Sequence, residues 1–240
     1  LDDFERADAI FVFGQNPGSN HPRMLGELRR AAKRGCRIVV FNPLRERGLE
    51  RFADPQSPAD MLGGASTAIA SHYFQPKIGG DLAVATGIAK VVVELADGEP
   101  EAQTHEAGAL DRAFIAANTY GYDDFADCAR NADWAGIERE SGLSRTQLTR
   151  AAQVYLDSHS VIFCWGMGIT QHRRSVATIQ MLMNLLLLRG NIGKPGAGLC
   201  PVRGHSNVQG DRTMGIYEKP SPAFLARLGA EFGFEPPQAH

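Results

Sequence analysis

The sequence predicts an α/β chain: a Rossmann-like, doubly wound, mainly parallel sheet flanked by helices. Three observations predict it. A short, continuous apolar run at Ile10–Phe13 and mainly apolar stretches at Cys36–Phe41 and Ser160–Trp165 have the length of buried strands and lack the polar alternation of half-exposed ones. A helical pattern lies between the first two runs, completing a βαβ unit of about 30 residues. Each run ends in a loop of turn-forming or polar residues, and ligands of open parallel sheets sit in the crevice beyond the carboxyl ends of the strands.

The elements follow in order. Gly14 closes the first run and opens the loop Gly14-Gln15-Asn16-Pro17-Gly18-Ser19-Asn20-His21, which is dense in turn residues. Pro22 suits the first turn of a helix, where its missing N–H costs nothing. Leu25, Leu28 and Ala32 give that helix an apolar stripe opposite Arg29, Arg30 and Lys33, and Gly35 ends it. Asn42–Pro58 is a loop region rich in Arg, Pro and Asp. Residues 59–80 predict mostly irregular structure, with glycine pairs flanking a patch that holds Tyr73 and Phe74. Asp81 precedes a helix with Val84, Ile88, Val91, Val92 and Leu95 on one face. Residues 97–108 are polar and predict a surface loop. Residues 110–141 predict short helices, with Asp133 an N-cap and Gly142 a stop. Ser144-x-x-Gln147 is a capping box, and Leu143 with Leu148 a hydrophobic staple. Residues 175–189 form a helix apolar nearly all round, which predicts burial. From Gly190 to about Gly215 the chain is rich in glycine and proline.

Composition excludes several classes. Hydrophobic residues at 43% and charged residues at 22% of 240 are globular usage, not disorder. A net charge of −2 gives no global case for nucleic acid. The longest apolar run, Met181–Leu188, is interrupted by Asn184 and falls far short of the roughly 20 residues a membrane helix needs, so no membrane insertion is expected. Cysteines 36, 128, 164 and 200 form no CxxC pair, which argues against a structural zinc, a self-contained iron–sulfur site or a disulfide scaffold. The chain starts at Leu1 without a Met and reads as a piece of a longer protein, with no signal segment and the cytoplasm as default location.

Candidate site residues cluster after the strands. The loop Gly14–His21 lacks the G-x-G-x-x-G fingerprint but offers backbone N–H groups beside a helix N-terminus, which favours anions; a plain strand-to-helix turn is the alternative. Asn42 stands where many such folds place an acid on a ribose, and an Asn-Pro turn explains it equally well. The ribbon Gly190–Gly198 has the backbone freedom to wrap a bulky cofactor, or to be a linker. It runs into Pro201–Gly210, where polar side chains alternate with glycine and small residues. Arg203 is the only charged residue in 195–210, with a planar fork matched to carboxylate or phosphate; the bland reading is a surface Arg. His21 and His205 lie in the site loops, whereas His72, His105, His159 and His240 fall in loops or a terminus. Cys36 and Cys164 read as inert core residues.

GQNPGSNHP after one strand, WGMGITQH after another and then GNIGKPGAGLCPVRGHSNVQGDRTMG form an ordered series. It resembles the molybdopterin oxidoreductases of the dimethyl sulfoxide reductase superfamily, and within it the catalytic subunit of molybdenum formate dehydrogenases, from about Ala7 to Gly215. The resemblance implies a bis(molybdopterin guanine dinucleotide) cofactor with molybdenum. Residues 1–206 would form one Rossmann-like domain that holds one guanosine arm, and residues 207–240 would begin the return to a neighbouring α/β domain. Gly14, Asn16, Pro17 and His21, with the Asn42-Pro43 turn, would cradle the guanosine diphosphate end. Gly166, Met167, Gly168 and Gln171 would lie along the pterin and phosphates, and Asp81 near the guanine. Gly204, His205 and Asn207 complete the implied cofactor set. Arg203 matches the catalytic arginine that faces the metal and orients a small oxyanion substrate.

The match has departures. Asn42 replaces the family's acid, Leu44 stands where an arginine is expected with Arg45 beside it, and His205 replaces an amide. The stretch before Asp81 is also longer, so the substrate need not be formate. The molybdenum ligand and a 4Fe-4S cluster would lie upstream of Leu1, and the domain closing over the pterins downstream of His240. The implied partners are therefore the remaining domains of the same parent chain and an electron-transfer partner the sequence does not name. By itself the fragment would be catalytically silent. A non-redox nucleotide-binding or regulatory α/β module is the rival reading. A nicotinamide-dependent dehydrogenase is weaker, because the glycine fingerprint is absent.

Overall fold

The computed structural model describes residues 2–58, 61, 64–98, 108–205, 207–216 and 219–236. Nearly all of the loop expected at 97–108, together with His105 and His240, lies outside these residues. Numbered in chain order, the strands are β1 (Ala9–Phe13), β2 (Arg37–Phe41), β3 (Arg51–Phe52), β4 (Thr67–Ala68), β5 (His72–Phe74), β6 (Val161–Trp165) and β7 (Gly198–Pro201). β3 and β4 form a small antiparallel pair. The other five make one sheet in the order β5-β2-β1-β6-β7, every pair parallel. Along the chain these five strands read 3-2-1-4-5, so the winding direction reverses between β1 and β6. That reversal is the topological switch point of a doubly wound sheet.

Strand alternation splits the core in two. Phe11, Phe13, Val39, Phe41, Phe163 and Trp165 face one layer, and Ile10, Val12, Ile38, Val40, Ile162 and Cys164 face the other. The Phe13 and Phe41 rings stack at 5.0 Å, and Phe74 stacks on Phe41 at 5.2 Å. Each such buried ring stabilises the fold by about 1.5–3 kcal/mol.

Helices cover both faces. α1 (Pro17–Asn20) and α2 (Pro22–Arg34) follow β1, with Pro22 at the first helical position and Gly35 left-handed at φ 97° as the C-cap. α2 buries Met24, Leu25, Leu28 and Ala31. α3 (Arg47–Glu50) follows β2. α4 (Asp81–Asp97) packs under the aromatic face, against α6 (Tyr122–Asn131), α7 (Trp134–Ser141) and α8 (Arg145–Leu156). α5 (Arg112–Asn118) precedes them. Local signals held here: Asp133 accepts from Ala135 and Gly136 N–H, Gly142 stops α7 in the left-handed region, and both bonds of the Ser144–Gln147 capping box form. After β6 come α9 (Met167–Thr170) and α10 (Ser175–Leu188).

The structure corrects three sequence readings. The described part of residues 59–80 is mostly irregular, as expected, yet His72 does not lie in a loop. β5 extends the sheet, and His72 is a half-buried strand residue whose imidazole pKa burial lowers. α10 is not buried all round: Thr178, Leu182, Leu185 and Leu186 are covered, while Val176 is 68% exposed. Its other side is half-covered, where Asn184 and Leu187 line a cavity of about 100 Å³ with Ile115, Tyr122 and Phe125.

The third correction concerns the glycine ribbon. Gly190–Ala197 runs past the amino ends of the strands, opposite the ligand-binding end. Asn191 is fully buried, and its Oδ1 accepts from the N–H of Val161, the first residue of β6, at 3.1 Å. Gly196 donates its N–H to Asp3 Oδ1 at 2.9 Å, and a Cβ there would meet the Arg6 backbone at 2.8 Å. The glycines serve this tight turn rather than a cofactor. β7 then carries the chain to the carboxyl end, where Val202 N–H binds Trp165 O at 2.9 Å.

The chain divides into two compact units, Leu1–Val202 and Arg203–His240. The second holds α11 (Val208–Thr213) and α12 (Pro222–Phe232), the latter capped by Ser221 and stopped by left-handed Gly233. Among the described residues no helix is long and apolar enough to cross a membrane.

Asn191→Ala leaves the buried Val161 N–H without an acceptor. Urea unfolding of this variant is expected to show a loss of about 1–3 kcal/mol; an unchanged midpoint would mean the ribbon does not anchor β6.

Candidate functional site

Phe13, Phe41 and Trp165 are level in the register, so β1, β2 and β6 end together. Their three loops open side by side at the switch point. The floor is backbone. Gly14 has a φ of 53°, donates its N–H to Phe41 O at 3.0 Å and accepts from Gly168 N–H at 3.2 Å. Gly166 donates to Phe13 O at 3.2 Å. A Cβ on Gly168 would sit 2.7 Å from Gly14 O, and one on Gly166 3.1 Å from the same atom. Side chains are excluded by contact, so these predicted residues let the two loops pack backbone to backbone. Met167 opens α9 and is partly exposed, and Gln171 is exposed just past its end.

In the first loop, Asn16 caps α1: its Oδ1 accepts from Ser19 N–H at 3.2 Å. Its Nδ2 donates to Glu46 Oε2 at 2.7 Å. Pro17 is buried, and His21 joins α1 to α2 with its N–H on Pro17 O at 2.9 Å. The N–H groups of Gly14, Ser19, Asn20 and His21 are all engaged internally. The loop therefore has less capacity for anions than its composition suggests.

The second loop is built around a residue that sequence reasoning missed. Asn42 is 8% exposed, and its Nδ2 donates to Leu44 O at 3.1 Å and, at a long 3.5 Å, to Glu46 Oε1. Tyr73 OH donates to Leu44 O at 2.7 Å and accepts from Glu46 N–H at 2.9 Å. Gln75 Nε2 donates to Pro43 O at 2.8 Å. Asn42 and Pro43 do form a turn, and that turn delivers Glu46 to both Asn16 and Asn42. A carboxylate therefore stands beside Asn42, four residues later in the chain. Only the placement of β5, which brings Tyr73 under the loop, singles Glu46 out from its neighbours Arg45 and Arg47.

Asp81 begins α4 and is 8% exposed; burial raises its carboxyl pKa, with His172 pulling it partly back. Two further polar atoms of these loops are buried with no hydrogen-bond partner: Gln15 Oε1 and His172 Nε2. His172 Nδ1 lies 3.2 Å from Arg174 N–H as its acceptor, so in the neutral ring the proton belongs on Nε2. One acceptor and one donor are therefore left over, where buried polar groups are nearly always paired. Neither residue stood among the predicted site residues.

Arg203, Gly204, His205 and Asn207 fall in the second unit and are exposed there, with Asn207 left-handed at φ 55° ahead of α11. The first unit by itself brings together Gly14, Asn16, Asn42, Gly166 and Gly168, not these four.

The family model for molybdopterin oxidoreductases matches residues 1–236. The chain belongs to the molybdopterin oxidoreductase family. This molybdopterin oxidoreductase chain is 51% identical over 239 residues to Protein YdeP of Escherichia coli K12, covering 100% of itself and 31% of YdeP. It is 29% identical over 224 residues to formate dehydrogenase H of Escherichia coli K12, covering 93% of itself and 27% of that protein. It thus spans about a third of the length of these curated relatives. Acetylene hydratase from Pelobacter acetylenicus superposes with a TM-score of 0.61 at 16% identity, over 82% of this chain and 25% of the other, a likeness of fold. The resemblance carried by the motifs, to molybdopterin oxidoreductases and formate dehydrogenases among them, agrees with these matches.

Asp81 yields a test by pH. Its folded-state pKa is raised, so its contribution to stability is complete below the unfolded value of 3.8 and is lost as pH rises through the folded value. Asp81→Asn carries no such loss. Its urea midpoint is expected to exceed the parent's at about pH 7 and to match it below the carboxylate range; equal midpoints at both would mean the carboxylate is not penalised by burial.

Proposed function

We propose that this chain holds one arm of bis(molybdopterin guanine dinucleotide) in a formate-dehydrogenase-like enzyme that moves two electrons between a small substrate and molybdenum. The observation that carries the reading is the crevice at the β1/β6 switch point. There Gly14, Gly166 and Gly168 let the loops after β1 and β6 pack backbone to backbone, and the unpaired Gln15 Oε1 and His172 Nε2 belong to the same loops. A ligand that offers both a donor and an acceptor would satisfy these two atoms.

When bound, the molybdenum and its dithiolenes supply the two-electron redox couple. The residues of this chain bind and orient. Gly166, Met167, Gly168 and Gln171 line the pterin and phosphates. Asn16, Pro17, His21, Asn42 and Pro43 hold the guanosine diphosphate end, and Glu46 joins them as the acceptor for ribose or guanine donors. Asp81, a buried carboxylate at a cost, gains most from a ligand that donates N–H groups. Gly204, His205 and Asn207 complete the proposed cofactor-binding set. Arg203 holds a small oxyanion by charge-assisted hydrogen bonds. The molybdenum ligand, a 4Fe-4S cluster, the closing domain and the electron-transfer partner belong to the rest of a cytoplasmic parent assembly.

Arg203→Lys in the full-length parent is expected to lower turnover about tenfold or more, about 1.4 kcal/mol of transition-state stabilisation, with molybdenum content intact. Unchanged turnover would remove Arg203 from the mechanism. Glu46→Gln removes a charged acceptor worth about 1.5–3 kcal/mol. Molybdenum and guanine nucleotide retained through gel filtration should fall, and full retention would exclude Glu46 from the nucleotide end.

A further inference from the structure

Cys164 and Cys200 are cross-strand partners. The parallel register of β6 and β7 sets Cys164 directly opposite Cys200, and both side chains lie on the face that packs against α2. Adjacent strands run about 4.7–4.9 Å apart, inside the roughly 4.4–6.8 Å Cα separation that a disulfide spans. All four cysteines are free. Cys36 lies elsewhere: Val40 is the β2 residue level with Cys164 through Val12, so Cys36 sits four residues back toward the amino end. Cys128 is exposed on α6.

The pair is also chemically unequal. Cys200 lies on the edge strand and is partly exposed, whereas Cys164 is fully buried. The neighbouring Cys164 thiol lowers the Cys200 thiol to about 7, against the opposing effect of burial. Burial raises Cys164 well above the ordinary thiol range. One reactive thiolate beside one protected thiol is the arrangement of an attacking and a resolving cysteine.

We infer that Cys164 and Cys200 form a reversible disulfide modification site, oxidised by small-molecule disulfides such as glutathione disulfide. The Cys200 thiolate attacks one sulfur of the oxidant, forming a mixed disulfide and expelling one thiolate. Cys164 then attacks Cys200 Sγ, its proton passing to the departing sulfur, and the second thiol leaves. Two cysteine thiols lose two electrons and two protons, and one small disulfide becomes two thiols. The product clamps edge strand β7 to β6 just before the chain passes through Val202 to Arg203.

The test is a non-reducing tryptic map of the full-length parent after treatment with glutathione disulfide. The peptides 151–173 and 190–203 each contain one cysteine of the pair. They should appear joined, two hydrogens lighter than their sum, and separate on addition of dithiothreitol. Native labelling of Cys200 by iodoacetamide should be half-maximal near pH 7 before oxidation and lost after it. Cys164→Ser should trap the glutathione adduct on Cys200, and Cys200→Ser should give neither adduct nor cross-link at Cys164. A persistent glutathione adduct at Cys200 in the unsubstituted protein would overturn the inference. So would both cysteines staying free while Cys128 reacts.

Discussion

The central strand β1 is the constraint on which the molecule depends. All five of its residues are fully buried, with β2 on one edge and β6 on the other in matched parallel register. A buried strand with neighbours on both sides has no freedom of register: a slip by one residue would turn Phe11 and Phe13 out of the aromatic layer and drive Ile10 and Val12 into it. Fixing the register also fixes where the three strands stop. Gly14, Asn42 and Gly166 therefore start their loops at one level, and the switch-point crevice is a direct result of packing in the core.

Buried polar groups mark both ends of the sheet. At the amino end several have specific partners, although Asn191 Nδ2 is buried without one. Asp8 Oδ2 accepts from His159 and Ser160 N–H at 3.1 and 3.0 Å. Arg34 donates to Phe4 O and Ala7 O, and Asn191 secures the first residue of β6. At the carboxyl end, Gln15 Oε1 and His172 Nε2 are buried without partners. Asp81 carries a carboxylate against its burial penalty. Unpaired buried polar atoms cost about 1–3 kcal/mol each. On the proposed reading, a ligand at the carboxyl end offsets that cost there.

What was legible in the sequence followed the range of the interaction. Mainly apolar runs announced β1, β2 and β6, because strands buried on both faces need no alternation. Gly35, Asp133, Gly142 and the Ser144–Gln147 box were readable because a cap is decided within about one helical turn. β5 and β7 were not, since three- and four-residue edge strands derive their order from the neighbours they join. The glycine ribbon misled in an instructive way: composition reports backbone freedom but not which end of a sheet uses it. Glu46 and the Cys164–Cys200 pair were hidden for the same reason. Each depends on contacts across strands or loops that only the register creates.

On the proposed reading, the move from an acid at position 42 to Glu46 changes the character of the nucleotide end rather than removing it. An acid on the strand tip would be held by the sheet itself. Glu46 is held instead by Asn16 and Asn42 amides on its two oxygens, and by Tyr73 on its backbone N–H. A carboxylate has about four acceptor positions, so two amide donors orient it and leave acceptor capacity for ligand hydroxyl or amine groups. Leu44, standing where a cation was expected, lends only its carbonyl, to Tyr73 and Asn42. The charge that faces the ligand on this side is then negative, which favours recognition of its donor groups over its phosphates. That matches a first loop whose N–H groups are already largely taken.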